Sequence, residues 1–85
     1  PDVPAFLDTW ASALAFEGQM DKAVEQQRKA ADLAGSEPAF RLTLAKLLLQ
    51  QGDKVKAKAE LERLKALGAK FPGHAEVAEL LKSVS

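Results

Sequence analysis

Apolar side chains recur along the chain at the spacing of one face of an α-helix. Early in the sequence they occupy positions i, i+3, i+4 and i+7, the pattern that an amphipathic helix produces: Leu7, Trp10, Ala11 and Leu14. The same offsets return 34 residues later at Arg41, Leu44, Ala45 and Leu48, of which only the arginine is polar. The pattern predicts two equivalent helices and favours a core position for Trp10 over the alternative of a binding-surface anchor.

A second helix is predicted after each of these first helices. A glycine follows the apolar face, and small or apolar residues then recur at matching offsets in the two copies: Gly18, Ala23 and Ala30 in one, and Gly52, Ala57 and Leu64 in the other. The glycines at positions 18, 35, 52 and 68 are predicted to end helices, where a left-handed residue is often required. Each copy is therefore predicted to be a helix, a turn and a helix.

This unit resembles the tetratricopeptide repeat, a helix–turn–helix unit of 34 residues. The resemblance covers roughly residues 4–69 and is carried by Trp10, Ala11, Leu14, Gly18, Ala23 and Ala30, then by Leu44, Ala45, Leu48, Gly52, Ala57 and Leu64. The sequence departs from the family's usual residues at three positions. Leu14 and Leu48 occupy the usual tyrosine position, and Gln27 occupies the second aromatic position. Gly35 and Ala69 occupy the closing proline position. The resemblance implies an all-α protein, with helix pairs stacked in a right-handed solenoid that serves as a protein–protein interaction scaffold.

Four alanines at equivalent places in the two copies are predicted to mark close contacts between helices. Ala11 and Ala45 lie where the two helices of a pair must approach, and Ala23 and Ala57 lie where the second helix crosses the first. A larger side chain at such a place is expected to overpack the crossing.

A third amphipathic helix is predicted from about His74 to Val84. Its apolar positions repeat the earlier face after a connection that is longer by two residues: Val77, Leu80, Leu81 and Val84. Leu81 stands where the first two copies have alanine, so we expect it to hinder a fourth helix and the third helix to be a cap. The predicted organisation is one domain at the C-terminal end of a longer array, with repeats at 1–37 and 38–72 and a capping helix at 73–85.

The tripeptide Pro-Ala-Phe begins both copies, at residues 4–6 and 38–40. In stacked repeats the start of each first helix leans on the second helix before it, so Phe40 is expected to pack on the alanine-rich second helix of the first copy. The expected neighbours of Phe40 are Gln27, Ala30 and Ala31.

Phe6 has the same character as Phe40, but no second helix precedes it in the sequence. Together with Ala13 and part of Leu14 it forms a candidate face for repeat stacking or for self-association. For a homodimer, a symmetric pair of first helices is favoured over a head-to-tail contact, because Leu81 is expected to make the cap a poor docking surface.

First-helix residues between the core positions are predicted to line the concave face of the stack. The candidate partner-binding residues are Asp8, Ser12, Phe16, Leu42, Lys46, Leu49, Gln50 and Lys82. The expected apolar contacts are Phe16, Leu42 and Leu49, and the clearest charge is on Lys46. The family's best-known groove is a clamp of Lys and Asn for a C-terminal carboxylate, but this chain has no Asn and has Asp8 at an expected clamp position. A mixed groove for an extended peptide or a partner helix is predicted, with an unused surface as the alternative.

Charge is balanced overall but divided along the chain. Acidic and basic residues number 12 each, yet residues 1–37 carry seven acids and three bases whereas residues 38–85 carry five acids and nine bases. The bases at residues 54–70 raise the alternative of a nucleic-acid- or lipid-binding surface, whose phosphate contacts would weaken steeply with salt. Acids interrupt that run and no aromatic residue is interleaved before Phe71, so a solvated outer face is favoured.

Nothing in the sequence predicts catalysis, a cofactor or a metal. His74 is the only imidazole, Glu76 is its nearest carboxylate in sequence, and there is no cysteine. Isolated glycines at helix ends do not make a phosphate-binding loop, and a structural metal needs several clustered ligands. We therefore predict a non-enzymatic protein with a solvated His74. No apolar run approaches the roughly 18–20 residues of a membrane span.

Two stretches are also similar to the last repeats of bacterial envelope-associated arrays: LDTWASAL near the start and FPGHAEVAELLK near the end. The resemblance is to the tetratricopeptide lipoproteins linked to exosortase (PEP-CTERM) and exopolysaccharide export. It implies a periplasmic or outer-membrane-facing scaffold in a Gram-negative cell.

Overall fold

Five α-helices and one turn of 3₁₀-helix make up the part of the chain that the computed structural model describes, residues 3–84. The helices are α1 (Pro4–Phe16), α2 (Met20–Leu33), α3 (Pro38–Gln51), α4 (Lys54–Lys65) and α5 (His74–Val84), and the 3₁₀ turn is at Gly68–Lys70. α1 pairs with α2, and α3 pairs with α4, as predicted for two helix–turn–helix repeats. Pro1, Asp2 and Ser85 lie outside the described residues.

The start and end of α3 show how local sequence sets the bounds of a helix. Pro38 lies in the first turn, where a missing backbone N–H costs no hydrogen bond. Gly52 follows the helix with a left-handed φ of +92°, and the N–H of Asp53 then donates to the carbonyl of Leu48 at 2.9 Å. Asp53 also caps α4, because its Oδ1 accepts a 3.0 Å hydrogen bond from the N–H of Lys56.

Gly35 departs from the prediction for helix-ending glycines. Within residues 3–84, positive φ occurs at Gly18, Gly52 and Gly68. At the end of α2 the N–H of Ala34 donates to the carbonyl of Ala30 at 3.0 Å, and the N–H of Glu37 donates to the carbonyl of Ala34 at 2.9 Å. The expected left-handed residue at position 35 is therefore wrong, because backbone bonds close this turn without one.

The core is distributed along the stack of helices. Each helix packs on the next one in the chain, and α1 also touches α3. The first cluster of buried side chains contains Ala11, Leu14, Ala23, Val24, Ala31, Leu44, Leu47, Leu48 and Ala57. The second cluster contains Leu42, Ala45, Leu61, Leu64, Phe71, Val77 and Leu81. This is the arrangement of a helical solenoid, in which each repeat is stabilised by its neighbours.

The four alanines predicted at helix crossings are all fully buried: Ala11, Ala23, Ala45 and Ala57. A methyl side chain lets two helix backbones approach closely, and protein interiors leave little spare volume beside it. The second repeat thus reproduces the close contacts of the first.

Arg41, the polar exception on the predicted apolar face, belongs to a charge network between α2, α3 and α4. Its Nη1 lies 2.6 Å from Glu60 Oε1, and Arg28 Nη1 lies 3.4 Å from Glu60 Oε2. Glu60 is buried, so its charge depends on these partners. The first copy has an uncharged pair, Leu7 and Gln26, at the positions of Arg41 and Glu60.

Ala45→Leu is expected to destabilise the fold by about 1–3 kcal/mol, because the larger side chain overpacks a fully buried crossing. The measurement is the urea midpoint of unfolding, followed by circular dichroism. Ala59→Leu is the matched control, since Ala59 is exposed in the middle of α4. An unchanged midpoint for Ala45→Leu would show that this contact is not tight.

Arg41→Leu is expected to cost on the order of 3 kcal/mol, because it removes the closer partner of a buried carboxylate. Combining Arg41→Leu with Glu60→Gln rebuilds the uncharged pair of the first copy and should recover much of that loss. Urea unfolding of both single variants and of the double variant gives the coupling energy between the two positions. If the losses of the single variants simply add, the two residues do not act as a pair.

Candidate functional site

The first helices of the pairs and α5 share one face of the stack. α1 touches α3, and Lys46 of α3 reaches α5 through a 2.6 Å contact between its Nζ and Glu76 Oε2. We call this surface the first-helix face and define it by Asp8, Ser12, Phe16, Lys46, Gln50 and Lys82. It carries most of the residues that the sequence predicts to bind a partner.

Phe16 is the most exposed large apolar side chain among residues 3–84. Its side chain is 94% exposed at the C-terminal end of α1. Ser12 and Gln50 are also exposed, and the Ser12 hydroxyl donates to the carbonyl of Asp8 at 3.2 Å. The face therefore offers an aromatic ring together with polar groups that keep most of their surface in water.

Two leucines predicted as groove contacts are wholly or partly buried. Leu42 is buried in the second cluster with Phe71 and Val77. A Cβ added to Gly73 would lie 3.2 Å from Leu42 Cδ2, so the segment before α5 covers this side chain closely. Leu49 is partly buried against the first cluster. The prediction of an exposed groove contact at Leu42 is wrong, because the longer connection before α5 folds over it.

The lysines of the first-helix face are paired with acids of the same chain. The side chains of Lys46 and Glu76 are 42% and 47% exposed, and Lys82 Nζ lies 3.4 Å from Glu79 Oε1. Exposed ion pairs of this kind contribute little to stability, so they can exchange partners at small cost. The face therefore presents both signs of charge around Lys46, which the sequence predicted as its clearest charge.

Asp8 has a structural contact that sequence reasoning missed. Its Oδ1 accepts a 2.8 Å hydrogen bond from Nε2 of Gln27, and the same nitrogen donates to the carbonyl of Phe40 at 2.9 Å. Gln27 is fully buried, so its amide ties α1 and the start of α3 to α2. Phe40 thus lies beside Gln27, as predicted. One feature of the sequence could have indicated this contact, because the first copy has Gln27 at the position where the second copy has the apolar Leu61.

A second exposed surface of α1 is formed by Phe6, Trp10 and Ala13, and we call it the α1 face. Phe6 is 56% exposed and Trp10 is 45% exposed, and their ring centroids are 6.5 Å apart at a tilt of 42°. With Thr9 and Ala13 they line a shallow apolar depression. The assignment of Trp10 to the core is wrong, because within residues 3–84 no helix covers this side of α1.

The second repeat shows how such a face is covered. Leu44, at the position of Trp10, is fully buried, and Leu47, at the position of Ala13, is buried as well. Both belong to the first cluster, together with side chains of α2. Leu14, expected to be partly exposed, is also buried in that cluster, because it packs toward α2 and α3. The α1 face is thus the exposed counterpart of a surface on α3, and α2 covers that surface on α3.

The basic segment at residues 54–70 presents solvated lysines and no exposed aromatic ring. Lys54, Lys56 and Lys58 are exposed on α4, whereas Glu60 turns inward to the arginines. Phe71, which follows the segment, is buried in the second cluster. A nucleic-acid interface on this segment would therefore lack the stacking aromatic that such surfaces use.

His74 is exposed at the start of α5, where its Nδ1 lies 3.1 Å from the carbonyl oxygen of Phe71. Among residues 3–84, no group of three or more His, Cys, Asp or Glu side chains is arranged to hold a metal ion. None of the helices in the described part of the chain is long and apolar enough to cross a bilayer.

An open cleft lies between the end of α4 and α5. Its lining includes Lys65, His74, Val77, Ala78, Leu81 and Lys82. Leu81 is buried in the second cluster and contributes to the wall of this cleft. The expectation that Leu81 hinders the packing of a fourth helix stays a prediction.

Two helix pairs at a 34-residue interval, with alanines at the crossings and a core spread along the stack, define an α-helical repeat protein. A model of the tetratricopeptide repeat family matches residues 14–84, and the chain belongs to this family. Searches of the curated proteins and of the solved structures found no match. Tetratricopeptide repeats generally mediate protein–protein interactions and are typically non-enzymatic scaffolds. The likeness to envelope arrays stays a prediction.

Proposed function

We propose that this chain is a protein–protein interaction module that binds an extended peptide or a partner helix across the first-helix face. The observation that carries the proposal is Phe16, whose ring is 94% exposed at the end of α1. Aromatic side chains are enriched at protein interfaces, because they bury a large apolar area when a partner covers them. The general role of the family supports the same function.

The partner that this face fits has an apolar anchor flanked by polar groups. Phe16 supplies the aromatic contact, and the exposed Ser12 and Gln50 supply a hydroxyl and an amide. The Lys46–Glu76 pair is partly exposed and therefore weak. An acidic group of a partner can form an ion pair with Lys46 in place of Glu76, and a basic group can form one with Glu76 in place of Lys46.

The proposed function is binding without a catalytic step. Asp8 occupies a position where the family's carboxylate clamp expects lysine, and its Oδ1 is hydrogen-bonded to Gln27. We therefore infer that the partner is recognised through its side chains, and that capture of a terminal carboxylate is not the mode of binding.

Self-association of the parent protein through the α1 face is the alternative function. The exposed parts of Phe6 and Trp10 amount to on the order of 200 Å², given the usual size of aromatic side chains. A stable pair buries about 800 Å² on each partner. These two side chains supply only about a quarter of that area, so we favour partner binding.

Phe16→Ala is expected to weaken peptide binding about tenfold or more, which is the loss typical of an aromatic hot spot. Ligands are first selected from a displayed peptide library against the 85-residue chain, and their affinities are then measured by calorimetry. Val55→Ala is the matched control, since Val55 is 82% exposed on α4, outside the first-helix face.

Lys46→Glu tests the polar side of the same face and should weaken peptides that carry acidic groups. Because the Lys46–Glu76 pair is partly exposed, the helix content measured by circular dichroism should not change. Selected peptides that bind Phe16→Ala and Lys46→Glu as tightly as the unmutated chain use another surface, and the proposal is then wrong.

A further inference from the structure

We propose that the open cleft between the end of α4 and α5 binds a small aliphatic carboxylate, a ligand with the chemistry of a free fatty-acid anion. We call it the α4–α5 cleft and define it by Lys65, His74, Val77, Ala78, Leu81 and Lys82. The inference goes beyond peptide binding, because the ligand is a small molecule and the cleft shares only Lys82 with the first-helix face.

The α4–α5 cleft has the size of a small-molecule site. Its volume is about 450 Å³, and pockets that hold small ligands usually measure about 300–1,000 Å³. Because the cleft is open to solvent, a ligand can enter it without a rearrangement of the two helices.

Apolar side chains of α5 form the floor of the cleft. Val77 and Leu81 are buried in the second cluster, which fixes their positions. Ala78 is exposed beside them, and its small side chain leaves room that a longer one would fill. The aliphatic stems of the two lysines extend this apolar surface. An alkyl chain in the cleft would therefore replace water along a wall that is already in place.

Each of the two helices contributes one lysine to the cleft. Lys65 lies in the last turn of α4 and Lys82 in the last turn of α5. Lys65 forms no ion pair within residues 3–84. Lys82 Nζ lies 3.4 Å from Glu79 Oε1, but both side chains are more than 70% exposed, so a ligand can displace this contact at small cost. A carboxylate in the cleft would meet two ammonium groups.

The acids nearest to the cleft are directed elsewhere. In the described part of the chain no aspartate or glutamate lines it. Glu76 contacts Lys46 at 2.6 Å, Glu60 is buried against arginines, and Glu62 is exposed on α4 outside the cleft. Residues 38–85 carry nine bases and five acids, so the local charge attracts an anion.

The combination of floor and charge selects among ligand classes. A cation would be repelled by the lysines, and an inorganic anion would leave the apolar floor in water. A helix docked over the cleft would bury both ammonium groups and would have to supply acids for them. One carboxylate on a short alkyl chain satisfies the charge and the floor together.

Octanoate is the probe that tests the proposal, and the measurement is an NMR titration of the 85-residue chain. The backbone amides of Val77, Ala78 and Leu81 should shift with a common Kd on the order of 1 mM, as expected for a ligand of this size in an open site. The amides of the α1 face, which is the other apolar depression, should not shift.

Two further ligands separate the contributions of charge and chain. Butanoate should bind at least about tenfold more weakly than octanoate, because a shorter chain removes fewer methylene groups from water. Octylammonium has the long chain and the opposite charge, and it should not shift the cleft amides.

Ala78→Glu should abolish octanoate binding, because its carboxylate fills the room beside the floor and pairs with the lysines. The matched control is Ala75→Glu, since Ala75 is exposed on the same helix outside the cleft. Lys65→Gln should weaken octanoate about threefold to fivefold, which is the effect of one exposed ion pair. Its control is Lys58→Gln, an exposed lysine of α4 that does not line the cleft.

Several results would overturn the proposal. Equal binding of octanoate and octylammonium, or of Lys65→Gln and the unmutated chain, would show that the lysines do not recognise the ligand. Shifts confined to the α1 face would mean that octanoate only adheres to exposed apolar surface. If octanoate leaves the cleft amides unshifted while a helical peptide from the displayed library shifts them, the occupant is a helix. If these amides shift with protein concentration alone, a second copy covers the cleft.

Discussion

Close approach between successive helices is the constraint on which the rest of this structure depends. Ala11, Ala23, Ala45 and Ala57 are fully buried, and their small size lets each helix lie directly on its neighbour. A core built in this way has no closed centre and consists of two clusters along the stack. Each helix is therefore stabilised by the helices beside it, and a helix at an end keeps one side in water. The exposed aromatic rings of α1 follow from this open arrangement.

Buried polar groups determine how the repeats meet, because an unpaired group in the interior is costly. The amide nitrogen of Gln27 joins α2 to both α1 and α3, although its buried Oε1 has no hydrogen-bond partner among residues 3–84. The carboxylate of Glu60 joins α4 to arginines of α2 and α3. These contacts form in one alignment of the helices and oppose sliding between them. The two copies meet this requirement differently, since Arg41 of the second copy replaces Leu7 of the first. The repeat therefore conserves small residues at the crossings more closely than it conserves polar contacts.

Apolar periodicity was sufficient to predict the helices, because the face of a helix follows from local sequence. The predicted third helix from His74 to Val84 is confirmed as α5. Burial of individual side chains was harder to predict, as Trp10 and Leu42 show. Spacing identifies the side of a helix on which a residue lies, but neighbouring segments decide whether that side is covered. α2 covers the counterpart of Trp10, and the connection before α5 covers Leu42, and neither contact can be read from the period of one helix.

Amide hydrogen exchange in the native state, measured residue by residue, is the most direct test of an open stack. α3 lies between α2 and α4, whereas α1 has α2 as its main neighbour and α5 has α4. An open stack predicts the slowest exchange in the middle of α3, around Leu44 and Leu48, which are both fully buried. Exchange should be faster in α1 and α5, which can open without disturbing the other helices. Equal protection of α1 and α3 would contradict this, because the chain would then behave as one closed core.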